Sequence, residues 1–142
     1  MTQPTSRRHA GATTLALLLR ALIPAACGAD PQVRLDALAT DPMARAQLEI
    51  STDVRVTDSA GSTGSKPTPA RIRRTFTVPS VEFAAAIGAL AHQAEAAGWE
   101  LAPRAVTGFD GTKSIEGYEA QLLILGIESQ YLVWVEVSTR DS

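Results

Sequence analysis

One stretch of the chain repeats with helical spacing, and the apolar pattern on either side of it alternates. From Val81 to Ala97, the residues Phe83, Ile87, Leu90, Ala91 and Ala94 recur every three or four positions, as one face of an amphipathic helix does. Ser80 stands where a cap is needed, and Gly98 occupies the position just past the last turn. A chain with one such helix and several period-two segments has few ways to bury both. The economical one lays the helix on a single face of an antiparallel sheet.

The alternating segments are Ile50–Ser59, Arg71–Val78, Trp99–Pro103, Tyr118–Ile127 and Tyr131–Ser138. In the first, Ile50, Thr52, Val54 and Val56 alternate with polar residues, predicting a half-buried strand. In the second, Ile72, Phe76 and Val78 share a face with Arg74, which is expected at a rim, a bulge or opposite an acid. Gly and Pro punctuate residues 60–69, a polar loop, and Val106–Gly117 is expected to be a turn-rich loop. The last two segments read as a hairpin turning at Glu128–Gln130. Together they predict an α+β two-layer sandwich: about five antiparallel strands, one long helix on one face and a short N-terminal helical segment. That short segment spans Ala29–Gln47, interrupted by Pro42, with Asp41-Pro42 suited to cap a second helical piece.

The terminal hairpin carries more apolar surface than one buried face requires. Tyr118, Ala120, Leu122 and Ile124 make one set, whereas Leu123, Leu125, Ile127, Leu132 and Trp134 lie on the other. Left exposed, this second set would be a patch of the size that marks a binding surface. The expected resolution is that Val33–Leu48 folds back across it, loosely enough for a ligand to enter beneath.

At 142 residues the chain fits one domain, and its 45% hydrophobic and 20% charged composition is globular. A formal charge of −2 argues against nucleic acid as partner. The single cysteine, Cys27, excludes an intramolecular disulfide and a thiolate zinc cage. His9 and His92 are too few for most metal sites, no Gly-x-Ser-x-Gly elbow offers a serine nucleophile, and no cofactor is expected. His92 falls on the solvated side of the helix. Gly111-Thr112-Lys113-Ser114 lacks the spaced glycines of a phosphate loop. Arg71, Arg73 and Arg74 form a basic cluster, expected at a solvated sheet edge. The carboxylates Glu116, Glu119, Asp53 and Asp58 lie on different elements or at loop ends, and paired-carboxylate chemistry would require them to converge.

Residues 1–26 contain no acid. Arg7 and Arg8 precede an apolar run ending in Leu15–Leu19, and Ala25-Ala26-Cys27-Gly28 closes the segment, the layout of a secretory signal. The stretch Leu22–Cys27 resembles the lipobox of bacterial lipoproteins, departing from it at Pro24. The resemblance implies that Cys27 is lipidated by palmitate-type acyl chains and becomes the N-terminus. Cleavage there removes three of the thirteen basic residues and leaves a formal −5, so the acyl chains alone would hold the protein to the membrane.

Lys66-Pro67-Thr68-Pro69-Ala70-Arg71 and Ala97-Gly98-Trp99 add a resemblance to small uncharacterised lipoproteins of actinobacteria. The alanine- and arginine-rich, asparagine-free composition agrees with that source. The resemblance implies location and shape, and no activity. The expected organisation is a signal peptide (1–26), a lipid-anchored tether with a weak helix (27–49) and one α+β domain (50–138). The expected function is a non-enzymatic binding module on the outer surface of the cell membrane. Its partner would be an envelope protein or an apolar ligand. The alternative is an envelope enzyme or accessory subunit using loop-borne carboxylates.

Overall fold

The computed structural model describes residues 30–104 and 107–140, so the expected leader and Cys27 lie outside the described residues. The fold is α+β. Helix α1 (Pro31–Ala39) and a 3₁₀ turn (Pro42–Arg45) precede strands β1 (Asp53–Ser59) and β2 (Arg71–Thr77). Helix α2 (Phe83–Ala96) leads to β3 (Glu100–Pro103), β4 (Gly108–Ile115), β5 (Tyr118–Ile127) and β6 (Leu132–Thr139). All six strands form one antiparallel sheet in the order β1-β2-β6-β5-β4-β3. Thus β3 to β6 meander, and β6 returns to lie beside β2.

Chain connectivity explains the length of α2. From β2 to β3 the chain must cross four strand spacings, about 19 Å. Because β2 and β3 run parallel, it must also return to the far end of the sheet, and the fourteen residues of α2, rising about 21 Å, make most of that diagonal. The helix is entered through a 3₁₀ turn at Ser80–Glu82, with no side-chain cap, rather than through the expected Ser80 cap. Gly98 ends it at φ 86°, as its position predicts.

The core lies on one face of the sheet. Phe83, Ala86, Ile87, Leu90 and Ala94 of α2 pack with Leu122, Ile124, Val133, Val135 and Val137. The segment expected to be a tether packs into the same core through Leu38, Met43, Ala44, Ala46 and Leu48. This corrects the expectation that Val33–Leu48 covers Leu123, Leu125, Leu132 and Trp134. The reason is geometric. One helix about 10 Å wide cannot roof six strands, so α1 and its 3₁₀ turn cover β2 and β6 beside α2. Asp30 caps α1 and Asp41 caps the 3₁₀ turn, each followed by proline at the first helical position.

Two strands differ from expectation. Residues 106–117 hold β4, a sixth strand, where a loop was expected. Gly108 and Gly111 look like loop punctuation in sequence, but here they permit close approach. A Cβ on Gly108 would collide with the carbonyl oxygen of Ile124, and one on Gly111 would stand 2.9 Å from Leu101. β4 and β5 join through Glu116-Gly117, both with positive φ (48° and 86°), as in a type I′ hairpin turn. β1 is exposed along its whole length, not half-buried, because the helices pack over the other strands.

Candidate functional site

The helical layer leaves the other face of the sheet open. Every second residue points there: Arg71, Arg73, Thr75 and Thr77 of β2, Leu132, Trp134, Glu136 and Ser138 of β6, and Gln121, Leu123, Leu125 and Ile127 of β5. The five apolar residues singled out from the sequence are therefore brought together. Leu125 lies opposite Trp134, Ile127 opposite Leu132, and Leu123 opposite Glu136. All five are half-buried.

Charged side chains screen this stripe without covering it. Arg73 crosses Trp134 with its guanidinium carbon 4.8 Å from the ring centroid, and its Nη2 lies 2.6 Å from Glu136 Oε2. Its Nε donates to the same oxygen at 2.8 Å. One arginine thus stacks on the indole and pairs with its neighbour's carboxylate, which fixes the ring's orientation. Arg73 is therefore no edge charge. β2 is an inner strand, paired on both sides, which corrects the expected solvated edge. Arg71 is exposed on the same face, whereas Arg74 is half-buried on the core side with its Nε lacking a hydrogen-bond partner among the described residues.

Beside Leu123 lies a shallow depression of about 260 Å³, lined by Arg104, Asp110, Thr112, Gln121, Glu136 and Ser138. Arg104 donates to Asp110 at 2.7 Å, and Arg73 holds Glu136, so both carboxylates are engaged by arginines. The indole Nε1 of Trp134 is buried and, among the described residues, has no hydrogen-bond partner.

A second polar cluster sits on the opposite face, in the core. Asp41, 1% exposed, accepts from the Met43 amide (2.8 Å), Trp99 Nε1 (3.1 Å) and Lys113 Nζ (2.6 Å). Lys113 also donates to the Ala97 carbonyl at the end of α2. Each of these polar side-chain atoms has a hydrogen-bond partner, as a buried charged group requires, and the cluster ties the 3₁₀ turn, the end of α2 and β4 together. The Gly111–Ser114 run is consequently strand, not phosphate loop, and its lysine is committed to Asp41.

The remaining candidates stay apart. His92 is 87% exposed and 3.9 Å from Glu95. Asp53 and Asp58 lie on β1, whereas Glu116 and Glu119 lie at the β4–β5 turn, with β2 and β6 between them. Among the described residues no group of three or more His, Cys, Asp or Glu could hold a metal ion, and no helix is long and apolar enough to cross a membrane.

Sequence reading found the apolar members of the open face but missed the Arg73–Trp134–Glu136 unit. Parity places all three on one face, but only the β2–β6 register, with Arg73 opposite Glu136, brings them into contact. No family model, curated protein or solved structure matches the chain.

Proposed function

We propose that the protein is an exported lipoprotein anchored through Cys27, and that its domain is a non-enzymatic module binding an envelope protein on the open sheet face. The observation that carries the binding role is the stripe of Leu123, Leu125, Ile127, Leu132 and Trp134, left uncovered while both helices pack on the other side. Its anatomy favours a protein over a small apolar ligand. Protein interfaces have an apolar centre, often with Trp and Arg, inside a polar rim. Here Trp134 with Arg73 stacked on it forms the centre, and Glu136 and the Arg104–Asp110 pair form the rim. A small apolar ligand needs an enclosed, largely hydrophobic cavity, whereas the depression on this face is shallow and mostly polar-lined.

The anchor is tested by mass spectrometry of the membrane fraction, which is expected to find a diacylglyceryl group on Cys27. An unmodified full-length chain recovered from the cytosol would refute it.

The binding face is tested by placing a photoreactive residue at Leu125 in cells. The expected result is an adduct with a discrete envelope protein. Trp134→Ala is expected to weaken it about 30-fold, the consequence of losing roughly 2 kcal/mol at an interface anchor, with the thermal unfolding transition retained. No adduct, or an equal adduct from a photoreactive residue at His92 on the helical side, would overturn the reading.

A further inference from the structure

We infer that two copies of this chain pair edge to edge through β1, in the antiparallel register centred on Val54. This stands independently of the function proposed above.

The sheet has two edges, and only one is blunted. β3 is four residues long and ends on Pro103, which blunts an edge. β1 runs for seven residues in continuous register with β2, without proline or bulge, and all seven are exposed. Val54 and Val56 are 41% and 51% exposed.

The hydrogen-bond phase of β1 follows from its neighbour. Val78 donates to the Tyr131 carbonyl, and Thr139 donates to the Ala70 carbonyl. Even-numbered residues of β2 therefore bond to β6, and the odd-numbered ones bond to β1. By the β1–β2 register, Asp53, Arg55, Thr57 and Ser59 spend their backbone groups on β2. Val54, Val56 and Asp58 are left aiming theirs at the free edge.

Charge then selects among the symmetric pairings a second copy could adopt. Centred on Arg55, the strands would set two guanidinium groups directly opposite each other. Centred on Val56 or Thr57, they would place a valine opposite Asp58, and centred on Asp58 they would set two carboxylates against each other. Centred on Val54, the two strands overlap through residues 53–55 and set Asp53 opposite Arg55 of the second copy, twice, on the open-face side. Those are non-hydrogen-bonded positions, where side chains lie closest. Val54 meets its own copy across the axis. Among the described residues neither Asp53 nor Arg55 has an ion-pair partner within the chain. The axis stands normal to the sheet, so both open faces lie on the same side of a twelve-stranded sheet, with two Trp134 stripes presented together.

The register is tested by single cysteines at positions 54, 56 and 58 in the full chain carrying Cys27→Ser. At the predicted axis the Cα atoms lie about 5.5 Å apart, within disulfide range. Under mild oxidation, Val54→Cys is expected to give a covalent dimer at least tenfold more abundant than Val56→Cys or Asp58→Cys. Asp53→Arg is expected to abolish the Val54→Cys product, and adding Arg55→Asp to restore it. Equal cross-linking at all three positions, none at 54, or indifference to charge reversal would each overturn the inference.

Discussion

A chain beginning at Ile50 is expected to show no cooperative unfolding transition. The truncation removes Leu38 and Met43, both essentially inaccessible to solvent, together with buried Ala37, Ala44, Ala46 and Leu48. Shaving one large buried side chain to alanine typically costs 2–5 kcal/mol, so losing the two largest entirely costs about 4–10 kcal/mol. Domain stabilities of about 5–15 kcal/mol leave little beyond that. The truncation also deletes Asp41, leaving Trp99 Nε1 without its acceptor and Lys113 without its counter-ion. Circular dichroism against temperature checks this outcome. A sigmoidal melt within a few degrees of the full chain would show that residues 30–49 are dispensable to the core. The same measurement separates two roles for the segment. A cover over the open face would protect Trp134 from quenching, whereas the observed packing protects Trp99. In the full chain carrying Trp99→Phe, Trp134 should therefore remain open to a neutral quencher.

The sequence was most legible where one periodicity ran without interference. The α2 face, the cap at Asp41-Pro42 and the β5–β6 hairpin could all be read from spacing and local chemistry. β4 was hidden because two of its residues are glycine, which counts as turn chemistry in a one-dimensional pattern. In the folded sheet those glycines make room for the Ile124 carbonyl, Leu101 and Leu122. β1 misled for a different reason. Its alternation is that of a half-buried strand, but burial depends on what lies above it, and the helical layer ends over β2. The same logic placed 33–48 over the wrong face. Two apolar faces competed for one short segment; it fills the part of the core face that α2 leaves unroofed, over β2 and β6, and the Asp41–Lys113 ion pair, between residues 72 apart in sequence, fastens it there. No spacing rule foretells such a partner.

That ion pair is where a single substitution on a short helical turn has its largest expected effect. Asp41→Ala is expected to cost about 3–5 kcal/mol, because it leaves a partly buried ammonium without its counter-ion. It also removes the cap of the 3₁₀ turn, which by itself is worth about 1 kcal/mol. The indole Nε1 of Trp99, 3% exposed, loses its acceptor at the same time. Asp41→Asn should cost less, since the amide oxygen still accepts from Met43 and Trp99, although the amide nitrogen in place of Oδ2 leaves Lys113 without both its counter-ion and its acceptor there. Lys113→Met on that background removes the stranded ammonium and should recover much of the loss, although the Ala97 carbonyl then forfeits its donor. The expected order of melting temperature is therefore wild type highest, then Asp41→Asn with Lys113→Met, then Asp41→Asn alone, with Asp41→Ala lowest. At about 4 °C per kcal/mol for a domain of this size, the alanine variant should melt roughly 12–20 °C below wild type. A loss under 1 kcal/mol in Asp41→Ala would mean that apolar packing alone holds residues 31–48 against the sheet. The cluster would then be a consequence of the fold rather than one of its supports.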